Sequence, residues 1–490
     1  MSNVHLHGLP LDQGLVLQEI LWLFLPDGRF VSPEQPAQVV VTVQEENPGE
    51  TIMVTVADGT HIGTGSAEPG QVHDEQKDNH RRRLIKLAFL RALVQCYGAV
   101  PGEWGILTGV RPTKIVHRAL DQGQSVETID RLLQEAYAVA PAKADLLLQV
   151  AQRQRLLFAK STAQPQAVGI YIAIPFCPTR CLYCSFPGYD LSKHHRWVEP
   201  VLAGLEREIA AVGAALARTG RTVQHIYIGG GTPTVLTSEQ LARLLGQVNE
   251  ALRSEATVEV TVEAGRPDTL DEAKMAVMQA HQVTRVSINP QTMEETTLQR
   301  IGRHHTAEQI KQAVAMVRQA GIPVLNMDVI LGLPGETAAT VAFTMAEIAK
   351  LRPENITVHT LAIKRASRLT MEKAEWHFPE ADEVTAMARV CQDAVASMQL
   401  EPYYLYRQKR MLGNLENVGY ALPGQECLYN VMMMEERQTI WGLGVGAASK
   451  WIDPSSGELT ENRYNPKDPL EYIKRLDEMI QRKVAQMEEA

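Results

Sequence analysis

Ile174-Pro175-Phe176-Cys177-Pro178-Thr179-Arg180-Cys181-Leu182-Tyr183-Cys184 places three cysteines in a C-x3-C-x2-C spacing directly after the apolar run Val168–Pro175. That run predicts a buried strand, so the cysteines should sit at its C-terminal end. Three thiolates this close in sequence suit a [4Fe–4S] cluster, whose irons are normally held by cysteine. Three ligands for four irons leave one iron open to an exogenous ligand. Zinc sites usually pair two C-x2-C units or add histidines at defined spacing, and neither pattern occurs. A disulfide framework does not suit 490 residues with six cysteines. The bland alternative is three buried thiols by coincidence. Cys96 and Cys391 fall in helix-like stretches and read as small core residues. Cys427 falls in a loop after Pro423-Gly424, where a structural role is preferred and a functional one stays open.

Outward from this stretch, strand and helix alternate. The expected strands are Val168–Pro175, Val223–Ile228, Ala256–Glu263, Arg285–Asn289, Val324–Ile330 and Ile356–Ile363. Amphipathic patterns such as Trp197–Leu216, Glu239–Leu252 and Ala307–Ala320 fill the gaps. Six βα units in order predict a parallel sheet with right-handed crossovers. Such a sheet can curl into a partial (β/α)6 TIM-like barrel with function at the C-terminal strand ends.

Gly229-Gly230-Gly231-Thr232-Pro233-Thr234 follows the second strand and would line the same mouth. A glycine run lets a ligand meet the backbone without a Cβ in the way. It is neither a dinucleotide fingerprint nor a phosphate loop. A tight turn is the bland reading. Glu263 ends the third strand, Gln291 follows the fourth, Arg303 comes twelve residues on, and Asp328 lies inside the fifth. A carboxylate inside an apolar strand is costly unless paired or liganded. Singly these residues read as structural; at consecutive strand ends they read as a polar ligand pocket. His304-His305 is read as helix-capping or surface.

The remainder divides into an α+β domain of unknown role at 1–162, the barrel at 163–375 and a mixed capping domain at 376–490. In the first, Gln38–Val43 and Thr51–Val56 read as strands, Gly63–Gly65 and Gly70 as turns, and Arg81–Tyr97 as a helix. Arg111 and Lys114 could bind an anion at a helix start, against the even alternative of a solvated cap. Tyr403–Gly446 reads as loop-rich. The net charge of −9 disfavours a nucleic-acid partner. Met1–Gly14 is polar, unlike a secretory signal, and Leu15–Leu25 is too short for a membrane span, so a cytoplasmic protein without an integral membrane segment is expected.

The cysteine run, the glycine run and the six βα units resemble the radical S-adenosylmethionine enzymes, with the resembling core at about 165–375. Within them the chain is similar to the oxygen-independent coproporphyrinogen III oxidase group. Gly109–Lys114, Glu263-Ala264-Gly265-Arg266-Pro267-Asp268, Pro402-Tyr403-Tyr404-Leu405-Tyr406-Arg407 and Gly442–Ser449 extend the likeness to its HemZ-type coproporphyrinogen dehydrogenase branch. The resemblance implies that Cys177, Cys181 and Cys184 hold the cluster and that its open iron chelates S-adenosylmethionine. One electron would then cleave the cofactor to a 5′-deoxyadenosyl radical. By position, Tyr171, Gly230 and Glu263 would contact that cofactor. Tyr183, Gly231, Thr232, Gln291, Arg303 and Asp328 match positions holding a second molecule of it. The implied reaction is loss of hydrogen, carbon dioxide and an electron from two propionates of coproporphyrinogen III, giving vinyl groups. The implied partners are that tetrapyrrole, or haem, and a small electron donor of flavodoxin or ferredoxin type. Arg180, Arg303, Lys364, Arg365, Arg407 and Arg410 are candidates for holding substrate carboxylates. The decarboxylating oxidases carry a fourth cysteine two residues after the third; here it is Phe186, as in related haem-delivering proteins. A haem chaperone and a radical methyltransferase acting on a porphyrin are therefore the alternatives.

Overall fold

The computed structural model describes residues 2–45, 51–69, 77–98, 102–162, 164, 166–186, 188–363, 369, 376–453 and 456–489. The chain forms two compact units: Met1–Ala151 with Arg407–Lys409 and Gly413–Leu415, and Gln152–Tyr406 with Arg410–Leu412 and Glu416–Ala490. Apart from Arg407–Lys409 and Gly413–Leu415, the segment after residue 375 clusters with the barrel's unit, as does Gln152–Thr162.

In the first unit, β1 (Asn3–His7), β2 (Arg29–Phe30), β3 (Val39–Glu45), β4 (Ile52–Asp58) and β5 (His61–Ala67) form one sheet in the order β2-β1-β3-β4-β5. Val39, Val41 and Val43 alternate with more exposed residues, as do Ile52, Val54 and Val56, so one face is core. The Gly63–Gly65 stretch is strand, not turn. A Cβ on Gly63 would strike the Ala92 carbonyl, and one on Gly65 the Ala88 carbonyl, both of helix Lys77–Tyr97. These glycines let a helix lie directly on a sheet. Gly70 lies outside the described residues. Arg407, expected among the mouth cations, belongs to this unit. It is buried, donates to the carbonyls of Leu107, Leu415 and Asn414, and lies 5.0 Å from the Trp104 ring centroid.

The second unit is built on an eleven-stranded sheet. Its centre is six parallel strands in chain order: β6 (Ala167–Ile174), β9 (Thr222–Gly230), β10 (Glu259–Glu263), β11 (Arg285–Ser287), β12 (Val324–Leu331) and β13 (Asn355–Thr360). The short pair β7 (Phe176–Cys177) and β8 (Tyr189–Asp190) follows β6. β6 and β13 do not pair, which makes the barrel partial. Instead β15 (Asn417–Ala421) pairs antiparallel with β13 and carries β14 (Glu401–Tyr406). On the other side β16 (Ile440–Gly444) runs parallel to β6, followed by β17 (Ala448–Ile452) and β18 (Leu459–Tyr464). The stretch expected to be loop-rich thus supplies three strands. Every residue of β15 and β16 is buried, so neither shows the alternation that announces a strand.

The crossover helices have legible causes. In Ser238–Ala251 and Ala307–Gln319 a threonine N-cap and a glutamine three residues on satisfy each other's backbone amides in a capping box. Helix Val198–Arg218 buries Val201, Leu205, Ile209 and Val212, each worth about 1.5–3 kcal/mol on transfer from water. It also buries Glu208, which pairs with Lys483 of helix Leu476–Glu489 and accepts from Tyr472 Oη (2.7 Å) and the Gly444 amide (2.8 Å). The Gly442–Ser449 run is anchored there. Among the described residues no helix is long and apolar enough to cross a membrane.

Candidate functional site

The parallel strands all deliver their C-terminal ends to one mouth, and the three cysteines follow the first of them. Cys177 lies in β7, and the Thr232 hydroxyl donates to its Sγ at 3.7 Å. The Gly231 and Thr232 amides bond to the carbonyls of Ile174 and Phe176 at 2.7 and 2.8 Å, clamping the glycine run onto the cysteine loop. A Cβ on Gly231 would fall 2.5 Å from the Phe176 carbonyl and 3.0 Å from Cys177 Sγ, so glycine permits this close approach of the two loops. Gly230 has φ +108°, a conformation that disfavours any side chain. Arg266 reaches Cys181 Sγ at 3.9 Å and is fixed by Asp268 and Thr179. Burial pushes the Cys177 thiol up to about 11 against the Thr232 hydrogen bond, and the neighbouring thiols add to the rise.

All six cysteines are free thiols. Among the described residues no three His, Cys, Asp or Glu side chains are gathered tightly enough to hold one metal ion. Cationic side chains nevertheless flank the cysteine loop: Arg266 lies by Cys177 and Cys181, and Arg180 and Arg303 lie by Cys184. That donor set fits a multi-iron cluster gripped at separate corners, with guanidinium groups offsetting thiolate charge.

Beside the thiols is a carboxylate site. Glu263, ending β10, accepts from Tyr227 Oη at 2.6 Å and from the Gly230 amide at 3.2 Å. Burial raises its carboxyl to about 7, and the Asp328 charge adds to the effect. Tyr171 on β6 is the register partner of Tyr227 on β9, and the Tyr429 ring stacks on both, at centroid distances of 5.7 and 4.4 Å. Arg303, buried, donates to Tyr183 Oη (3.2 Å) and to the carbonyls of Gly265 (3.0 Å) and Asn289 (2.5 Å). Gln291 holds φ +67° through amide and carbonyl bonds to Asp328 and Ile330, and its buried Oε1 has no partner. Asp328 accepts from Asn326 at 2.8 Å and faces His359 Nε2 at 3.6 Å.

The nine residues expected to touch cofactor therefore fall into linked groups: Gly231 and Thr232 on the thiols, Gly230 and Glu263 with Tyr171 nearby, Tyr183 with Arg303, and Gln291 with Asp328. Tyr227, Arg266, Asn289, His359 and Tyr429 were not foreseen. Tyr227 was open to discovery as the strand neighbour of Tyr171; Tyr429, from a distant helix, had no local signal. One other reading changes. His304 is exposed, but His305 is buried against Asp268 at 3.7 Å, not a surface or capping residue. Cys427 does end the loop after Pro423-Gly424, as the N-cap of helix Leu428–Glu435, and it is buried with its Sγ donating to Glu259 at 3.4 Å. Lys364 and Arg365 lie outside the described residues.

The Radical SAM superfamily model matches residues 171–348. The "oxygen-independent coproporphyrinogen-III oxidase-like protein HemZ" of Bacillus subtilis is 40% identical, over 96% of this chain and 95% of that protein. The "heme chaperone HemW" of the same organism is 29% identical over 56% of this chain and 69% of its own length. Among solved structures, coproporphyrinogen III oxidase (HemN) from Escherichia coli, a radical SAM enzyme, superposes with a TM-score of 0.52. It is 23% identical and covers 67% of this chain and 73% of its own, a likeness of fold.

Proposed function

This chain belongs to the radical S-adenosylmethionine superfamily, among the oxygen-independent coproporphyrinogen-III oxidase-like proteins, and from that premise we propose that it acts on coproporphyrinogen III. Each of two propionates would lose a hydrogen atom, carbon dioxide and one electron, leaving a vinyl group, with the electron passing to a one-electron acceptor. The family implies a [4Fe–4S] cluster and S-adenosylmethionine. Cys177, Cys181 and Cys184 would hold the cluster; Tyr171, Gly230 and Glu263 would hold S-adenosylmethionine. Tyr183, Gly231, Thr232, Gln291, Arg303 and Asp328 would seat a second molecule of it. When bound, cluster and cofactor supply the hydrogen-abstracting chemistry after one-electron reduction.

The observation that carries this reading is Gln291. A buried amide oxygen without a partner, on a backbone held in the left-handed region beside Asp328, supports a ligand at this position. Glu263 would accept from cofactor donors, oriented by Tyr227 and the Gly230 amide. Arg303 would fix Tyr183, and the apolar group Leu182, Ile301, Ile330, Leu333 and Leu361 beside Tyr183 would keep water out. A second reading, haem binding for delivery, is favoured by Phe186, which is 56% exposed next to the cysteine run. The HemW relatives are named heme chaperones.

Anaerobic protein with reconstituted cluster, reductant, S-adenosylmethionine and coproporphyrinogen III should yield the divinyl product together with 5′-deoxyadenosine. Haem capture without vinyl product would replace this proposal with the chaperone reading, and a methylated porphyrin would point to a methyltransferase.

A further inference from the structure

Three residues past Glu263 the chain sets a buried cation against the cysteine loop. Arg266 is 2% exposed. One edge of its guanidinium, Nε and Nη2, donates to the two oxygens of Asp268 at 3.0 and 2.9 Å. The other edge, Nη1, donates to Thr179 Oγ1 at 3.0 Å and reaches Cys181 Sγ at 3.9 Å. Thr179 belongs to the cysteine loop and donates in turn to the Gly302 carbonyl at 3.2 Å. Beyond Asp268 stands the buried His305, with Nδ1 3.7 Å from the carboxylate.

The row Cys181, Arg266, Asp268, His305 is held from several sides. Thr269 Oγ1 donates to the Arg266 carbonyl at 2.7 Å, Lys274 Nζ to the Thr269 carbonyl at 2.7 Å and Arg303 Nη1 to the Gly265 carbonyl at 3.0 Å. Against its burial, hydrogen bonds from His305 and Arg266 hold the Asp268 carboxyl well below the usual carboxylate range. Burial holds His305 below the usual histidine range, so it stays neutral. Arg266 and Asp268 are therefore neutral as a pair but form a fixed dipole, with the positive edge on the sulfur and the carboxylate on the far side. A positive edge at a cluster thiolate favours the reduced, more negative state of the metal centre. Arg303 also senses Cys181, but it donates to Tyr183 Oη and to two backbone carbonyls. Arg266 Nη1 has only Thr179 between it and that sulfur's loop.

We propose that Arg266, oriented by Asp268, is a positioning residue that acts through Cys181 Sγ to raise the reduction potential of a [4Fe–4S] cluster on Cys177, Cys181 and Cys184. One electron passes from a reductant to the cluster in the step concerned. The proposal rests on the cluster assignment made above, and its test reads a potential rather than turnover.

Reconstituted wild type, Asp268→Asn, Arg266→Gln/Asp268→Asn and Arg266→Gln would be titrated anaerobically with dithionite, without S-adenosylmethionine, and the reduced cluster read by electron paramagnetic resonance. A pH of about 8 keeps His305 neutral throughout. The double variant replaces both charges with neutral hydrogen-bonding side chains. Its equilibrium constant for one-electron reduction should fall about tenfold, which is ~59 mV to the negative side of wild type. Arg266→Gln alone leaves the carboxylate uncompensated and should lie lower still. Asp268→Asn leaves the guanidinium uncompensated and should lie above wild type. Arg243→Gln, on the surface of helix Ser238–Ala251, should match wild type. A double variant at or above the wild-type potential would overturn the proposal. So would an Asp268→Asn cluster no easier to reduce than wild type, or a shift as large in Arg243→Gln. The double variant and Asp268→Asn decide the matter even if Arg266→Gln alone takes up no iron. Wild type that assembles no [4Fe–4S] cluster would overturn the cluster assignment and this proposal together, a result distinct from a cluster whose potential does not move.

Discussion

The two ends of the parallel strands carry different polar groups. At the N-terminal end the chain pairs its own charges, although Arg285 Nε and His225 Nδ1 are buried without a hydrogen-bond partner. Glu259, opening β10, accepts from the amides of Leu428 and Tyr429 and from Cys427 Sγ, and pairs with Arg285 at 3.6 Å. Arg285 donates on to Asn355 and to the carbonyls of Gln425 and Glu426. Helix Leu428–Glu435 is thereby locked against the sheet. At the C-terminal end Gln291 Oε1 is unmatched, the three thiols share one loop, and burial raises the Glu263 carboxyl to about 7. One end is built on a buried ion pair; the other presents thiols, a raised carboxyl and an unmatched amide oxygen.

The comparison breaks hardest at Cys181. Cys181→Ala should abolish the brown absorbance of the reconstituted [4Fe–4S] cluster and all cofactor cleavage, with the urea unfolding midpoint of cluster-free protein close to wild type. Retention of absorbance and cleavage would show the wrong ligands. At the opposite end, Glu259→Ala should leave a buried guanidinium unpaired and cost about 3–5 kcal/mol of stability, read from urea unfolding.

Glu336 sharpens the contrast through pH. It accepts from the Thr292 hydroxyl at 2.5 Å, one residue past Gln291, and burial raises its carboxyl from 4.5 to about 7. The folded state thus holds a proton that the unfolded chain releases earlier, so this group's contribution is complete below about 4.5 and is lost as pH rises through about 7. Its size is on the order of 3 kcal/mol. Glu336→Gln should flatten the pH dependence of stability across that window; an unchanged slope would assign it elsewhere. The smallest expected effect is at Glu263. Glu263→Gln should weaken S-adenosylmethionine binding about tenfold, ~1.4 kcal/mol, by equilibrium dialysis. Stability above neutral pH should stay level or rise, since a desolvated charge is removed.

The six βα units and the cysteine loop were legible because each rests on a local pattern. Apolar runs of strand length, amphipathic helices with threonine caps and a three-cysteine spacing survive without knowledge of the fold. β15 and β16 were not legible, being buried on both faces. Gly63 and Gly65 misled because close helix contact and tight turning call for the same residue. Arg407 looked like a substrate cation, but its guanidinium is spent on backbone carbonyls.

The sequence by itself determined the parallel order of strands, the position of the thiols after the first strand and the kind of metal centre they suit, since all three follow from spacing along the chain. Only the tertiary structure decided that β16 flanks the first strand, that Tyr429 comes to rest on Tyr171 and Tyr227, and that Gln291 is left with an unmatched oxygen. Those outcomes depend on which distant surfaces bury one another, and burial is settled by the whole packed chain.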